Sequence, residues 1–178
     1  MNVLQHPAVE SFDARVDAQL ERLRGRSPLD RLFVAASELG DFSLIWHIVG
    51  AVRGLTSEAR AGQAFLFSAL IGAESLIVNQ GLKRLFRRSR PTTAGDPRLK
   101  VRAPSTSSFP SGHASAAFFA ASILTAWNSL WLVPLWFGLA VVVAFSRAYV
   151  RIHHASDVVA GAVVGLGLAQ VALALLPT

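Results

Sequence analysis

Three polar stretches interrupt an otherwise apolar chain: "KRLFRRSRP" (83–91), "PSGH" (110–113) and "SRAYVRIHHASD" (146–157). Among their cations are Lys83, Arg90 and Arg147. They also supply the Ser111 hydroxyl and the Gly112 amide, donors at the start of an apolar run that reads as a helix. Cations beside a helix N-terminus and glycine backbone make a binding site for a tetrahedral oxyanion. Among their imidazoles are His113 and His153, and they hold one carboxylate, Asp157. His153 and Asp157 are four residues apart, which on a helical turn places them on one face. A carboxylate there takes the proton of one ring nitrogen and leaves the other as a nucleophile. The second imidazole, His113, can protonate a departing alkoxide. This is the equipment for phosphoryl transfer through a phosphohistidine.

The spacings carry a resemblance. Lys83-x6-Arg90-Pro91, Pro110-Ser111-Gly112-His113 and Ser146-Arg147-x5-His153-x3-Asp157 resemble the three signatures of the type 2 phosphatidic acid phosphatase (PAP2) family, relatives of the vanadium haloperoxidases. Every specified position is present, in order and at the family's internal spacing. The resemblance implies that His153 is the nucleophile, that Asp157 orients it and that His113 is the general acid. Lys83, Arg90, Ser111, Gly112 and Arg147 would hold the phosphate oxygens, with no metal or other cofactor. Lys83 and Arg90 could otherwise be membrane-edge anchors, the reading kept for Arg84, Arg87 and Arg88. His154 is a bystander in this reading, since the spacing from Ser146-Arg147 selects His153. Glu38, Asp41 and Glu74 are expected to satisfy polar contacts between helices.

The elements that must position these groups are membrane helices. The chain has 178 residues, 52% of them hydrophobic and 16% charged, with the apolar residues in blocks. Five blocks approach the ~20 residues needed to cross ~30 Å of hydrocarbon: about 28–52, 61–82, 111–131, 134–149 and 155–176. The expected fold is therefore all-α, a polytopic bundle of about five membrane helices. Residues 1–27 form a separate N-terminal segment whose Val9, Phe12, Val16, Leu20 and Leu23 recur at helical spacing. It reads as an amphipathic helix lying on the membrane surface, or else packing on its own protein. Residues 28–178 form the PAP2-type unit. No cysteine is present, so disulfides and thiolate chemistry are excluded. No signal peptide is evident, so the spans are expected to direct insertion.

Alternating the spans brings all three polar stretches to one membrane face. Of the 17 Lys+Arg, only Arg53 and Arg60 fall on the opposite side. The positive-inside rule then predicts an active site at the cytoplasmic face of the inner membrane. Trp46, Trp127, Trp131 and Trp136 are expected to form an aromatic belt at the other interface. The net charge of +6 is read as orientation and lipid-phosphate contact rather than nucleic-acid binding. The expected partner is a membrane lipid phosphate made at the inner face. A polyprenyl-linked sugar phosphate such as decaprenylphosphoryl-5-phosphoribose suits the Ala/Arg/Val-rich, lysine-poor composition of a GC-rich bacterium. Alternatives are phosphatidylglycerophosphate, phosphatidic acid or a polyprenyl diphosphate, and, outside catalysis, a lipid-binding or transport protein with a vestigial site. Head-group selection is expected from the polar loop 92–109.

Overall fold

The computed structural model describes residues 4, 6–92, 96–102, 104 and 106–176, and among them all regular structure is helical. Helix α1 (Pro7–Glu21) is followed by α2 (Ser27–Leu39), α3 (Leu44–Gly54) and α4 (Glu58–Leu76). A π-helical turn, Ile77–Leu82, joins α4 to the short α5 (Lys83–Leu85). After the long loop come α6 (Gly112–Trp127), α7 (Val133–Tyr149) and α8 (Ala155–Leu175).

Three helical stretches are long and apolar enough to cross a membrane: Glu58–Leu85, Leu130–Tyr149 and Ala155–Leu175. They carry exposed apolar side chains, among them Phe65, Leu76, Val163 and Leu175. Such a surface suits acyl chains and not water. The predicted first span is broken. Helices α2 and α3 meet at 69° across Gly40–Ser43, and count as a fourth crossing if taken together. At the break Phe42 and Ser43 have φ of 52° and 59°, a left-handed backbone that cannot continue a helix. The remaining expected span, α6, has only 16 residues, about 24 Å at 1.5 Å per residue. It is the central helix, packed against α4, α7 and α8. Every residue from Ala114 to Leu124 except Phe118 is buried. A helix built of alanine, serine and apolar residues all round has no face for water and goes inside.

Two glycines let α8 lie against α6. A Cβ at Gly161 would collide with the Ser111 carbonyl, and one at Gly165 with the Ser115 carbonyl. Small residues four apart are the membrane solution to close helix approach. Gly165→Val is therefore expected to lower the unfolding temperature in detergent, by the equivalent of about 1–3 kcal/mol or more. Gly167→Val is the control, because a Cβ there meets open space. Equal melting temperatures for the two variants would refute this packing argument.

Helix α1 packs against α7 and α8. Leu20 joins Leu99, Tyr149, Val150 and Ile152 in a core separate from the one inside the bundle. Arg24, just past α1, buries its guanidinium and donates to the Tyr149 and Ala148 carbonyls at 2.7 and 3.1 Å. Both carbonyls lie in the last turn of α7, and that of Ala148 also accepts the Arg151 N–H at 3.2 Å. Asp17 and Glu21 of α1 neutralise it at 2.7 and 3.1 Å. Of the four tryptophans expected at the other interface, one lies in the core instead. Trp46 is buried in the bundle core, Trp127 and Trp136 are half-buried, and only Trp131 stands fully out. A tryptophan on the inner face of α3 fills the space between helices before it can reach an interface.

Candidate active site

The turn between α7 and α8 sets the position of His153. The Arg147 carbonyl accepts from the backbone N–H of both Ile152 and His153 at 3.1 Å. Arg151 takes φ 59° within this turn and is held by Asp17, Glu21 and Asp96 at 2.9–3.4 Å. The chain thus folds back so that His153 lies before α8, with His154 as the N-cap and Asp157 in the first turn. The pairing expected from a shared helical face has a different origin. Asp157 Oδ2 accepts from the His154 N–H at 2.9 Å as a helix cap. It also faces His153 Nδ1 at 3.6 Å. Ser108 donates its hydroxyl to the same oxygen at 2.5 Å and lies 3.4 Å from His153 Nδ1.

On the other side of the ring, Arg90 Nη1 stands 3.2 Å from His153 Nε2. Arg90 is fixed by the carbonyls of Ile152, Pro104 and Thr106 at 2.9, 3.0 and 3.1 Å. The imidazole is 3% exposed. Burial, reinforced by Arg147 and Arg90 and opposed by Asp157, pushes its pKa down to about 3. His153 is therefore a neutral imidazole near pH 7, with Nδ1 toward the carboxylate and the Nε2 lone pair toward the cations.

The second imidazole has its own carboxylate. His113 Nε2 lies 3.0 Å from Asp41 Oδ1 and 3.3 Å from the Ser37 carbonyl. The break between α2 and α3 delivers both partners. Arg147 joins this group by donating Nη1 to the Ser37 hydroxyl, with Asp41 at 3.9 Å. No hydrogen bond links the two imidazoles among the described residues; Arg147 is within electrostatic reach of both.

The remaining predicted residues converge on the same region. Ser111 caps α6, accepting from the Ala114 N–H at 3.4 Å, and its own N–H donates to the Asp157 carbonyl at 3.0 Å. Gly112 lies under the Asn79 side chain, whose Oδ1 would be 2.8 Å from a Cβ. Lys83 is 8% exposed and feels Arg90, Arg147, Asp157 and Glu74 as charged neighbours. Glu74 itself is buried and accepts from Ser115 and from Ser75.

One reading needs correction. Arg88 is not a membrane-edge anchor: its guanidinium is 10% exposed and bridges Asp157 at 2.5 Å and Asp13 at 2.6 Å. The sequence hides this because both partners are remote and the arginine sits in a run of arginines. Ser108, Asp13, Ser37 and Asn79 were likewise passed over. Of these, Ser108 lies two residues ahead of the Pro110 signature and Asn79 four ahead of the Lys83 signature. Of the loop expected to select head groups, residues 93–95, 103 and 105 lie outside the described residues; its described carbonyls hold Arg90. Among the described residues no group of three or more His, Asp or Glu side chains is arranged to hold a metal ion.

The PAP2 superfamily profile matches residues 63–178. The chain belongs to the PAP2 superfamily. A decaprenylphosphoryl-5-phosphoribose phosphatase of Mycolicibacterium smegmatis is 33% identical over 84% of this chain and 80% of its own length. YbjG of Escherichia coli K12, named as a candidate undecaprenyl-diphosphatase, is 32% identical over 64% of this chain, and the match spans only 56% of that protein. In three dimensions the chain is similar to a transmembrane PAP2-type phosphatidylglycerolphosphate phosphatase from Bacillus subtilis. The TM-score is 0.73 at 25% identity, covering 96% of this chain and 87% of that one. With its apolar helices, this PAP2 protein is a multi-pass membrane protein.

Proposed function

We propose that this PAP2 protein is a lipid phosphate phosphatase that hydrolyses a head-group phosphomonoester through a phosphohistidine, without a metal. The observation that carries the reading is Arg147. It is 1% exposed, and its Nε and Nη2 have no hydrogen-bond partner among the described residues. A buried guanidinium with two empty donors is costly unless an anion completes it. Lys83 and Arg90 add positive charge around the same place, which suits a phosphate.

In the proposed reaction His153 Nε2 attacks phosphorus and the bond from phosphorus to the lipid oxygen breaks. His113 gives the departing alkoxide its proton. Water then attacks the phosphohistidine, yields its proton to His113 and releases inorganic phosphate as the N–P bond breaks. Arg90 must turn its Nη1 from the nucleophile onto a phosphate oxygen for the first step. Asp157 and Ser108 hold the other ring nitrogen throughout.

The substrate reading is a polyprenyl-linked sugar phosphate at the cytoplasmic face. The M. smegmatis relative supports it through the larger shared length. The distribution of arginine supports the cytoplasmic orientation. The test is phosphate release by the purified chain in mixed micelles from decaprenylphosphoryl-5-phosphoribose, phosphatidylglycerophosphate, phosphatidic acid and undecaprenyl diphosphate, with and without chelator. The first is expected to give the highest kcat/KM, unchanged by chelator. A preference for the diphosphate would overturn the substrate class. Release from none of the four would leave a lipid-binding protein.

A further inference from the structure

Nothing in the proposed reaction uses α1, and the superfamily match begins after it, at residue 63. Yet one α1 side chain reaches into the site. Asp13 is 7% exposed and accepts from the Ser156 N–H and hydroxyl, both at 2.8 Å. It also takes Arg88 Nη2 at 2.6 Å, while Arg88 Nη1 lies 2.5 Å from Asp157 Oδ1 and 2.7 Å from the Ser156 hydroxyl. One guanidinium is thus shared between a carboxylate of the N-terminal helix and the carboxylate that faces His153.

We propose that Asp13 is a positioning residue of this site, acting through Arg88 to keep Asp157 aligned and negatively charged against His153. The inference rests on the reading of His153 as nucleophile. Attack on phosphorus builds positive charge on the imidazole, and Asp157 must offset it. The charged groups facing His153 are Arg90 from the loop, Arg147 from α7 and Asp157 from α8, two cations against one anion. If Arg88 paired with Asp157 alone, the pair would sum to zero and leave the imidazole among cations. With Asp13 on the far side, the three groups carry one net negative charge. The guanidinium fork also fixes geometry, because two of its nitrogens are committed to two carboxylates. Asp157 Oδ1 is thereby engaged by Arg88, and Oδ2 is left for the ring, Ser108 and the cap.

The test compares variants of the full chain in detergent, using the panel substrate it turns over fastest. Nitrogen-15 NMR of the His153 ring serves as a readout independent of turnover. Asp13→Asn is expected to lower kcat about tenfold with KM within about twofold, and to shift the His153 Nδ1–H resonance. Asp13→Glu, which keeps the charge, should restore part of both. In an Arg88→Met background, Asp13→Asn should cost nothing more, since the intermediary is gone. Val16→Ala is the structural control: it thins the packing of α1 on the Leu20 core and should lower the melting temperature without changing kcat. If Asp13→Asn does not fold, Arg88→Lys carries the same expectation, because a single ammonium nitrogen does not reproduce the two separate nitrogens of the fork. Wild-type kcat and an unmoved resonance in Asp13→Asn would overturn the inference; so would losses that merely track melting temperature. Activity in His153→Ala would instead overturn the phosphatase mechanism, a separable result.

Discussion

Replacing His153 by alanine is expected to lower phosphate release by at least about 10³-fold, the scale seen when a nucleophile is removed. Melting temperature should stay close to that of the parent, because the ring's contacts are polar and few. The reason is geometric. Nδ1 is committed to Asp157 and Ser108, so Nε2 is the basic nitrogen left to attack, and no neighbour can take its place. His154 caps α8 and places its own Nε2 3.3 Å from the Ser89 carbonyl, so His154→Ala should keep most activity. Acid-labile, base-stable radioactivity trapped from a phosphate-labelled lipid should appear in the parent and vanish in His153→Ala. Turnover surviving at more than a few per cent would mean that phosphorus is attacked by something else.

Arg147→Met gives the second large effect, and it separates activity from stability. Loss of two donors aimed at the transferring group should reduce kcat/KM by about 10²–10³-fold and abolish inhibition by orthovanadate. Stability is expected to hold or rise. A buried cation with unsatisfied nitrogens is a burden on the fold, and an unbranched apolar chain of similar length relieves it. The opposing loss is the bonds of Nη1 to the Ser37 hydroxyl and to its carbonyl at 3.4 Å, and a distant approach to Asp41. A melting temperature several degrees lower, with kcat/KM intact in the folded fraction, would make Arg147 a structural residue and remove the principal support for an anion site.

Much of this was legible in the residues. Apolar stretches of helical length with few charges marked the long spans, and three signatures marked the site, because both are local in sequence. What was not legible arose from long-range geometry. Hydropathy sees 28–52 as one span and cannot see the break at Phe42 and Ser43, which is what hands Asp41 to His113. Spacing alone put His153 and Asp157 on a helix face. The helix in fact starts two residues after His153, and the carboxylate meets the ring while capping. Arg88 was indistinguishable from Arg84 and Arg87 until α1 folded back and set Asp13 against it.

The π-helical turn at Ile77–Leu82 has a consequence for register. Down this helix the inward positions are Phe67, Ile71, Glu74, Val78 and then Lys83, steps of four, three, four and five. A regular helix advances about 100° per residue, so its next inward position after Val78 would be Gly81 or Leu82, and Lys83 would be rotated aside toward lipid. The wide turn acts as a phase shifter between two tasks: upstream, the azimuth is set by packing against α3 and α6; downstream, by the ammonium. Straightening the segment into a regular helix without removing a residue would leave the hydrophobic length nearly untouched while swinging the charge off its target.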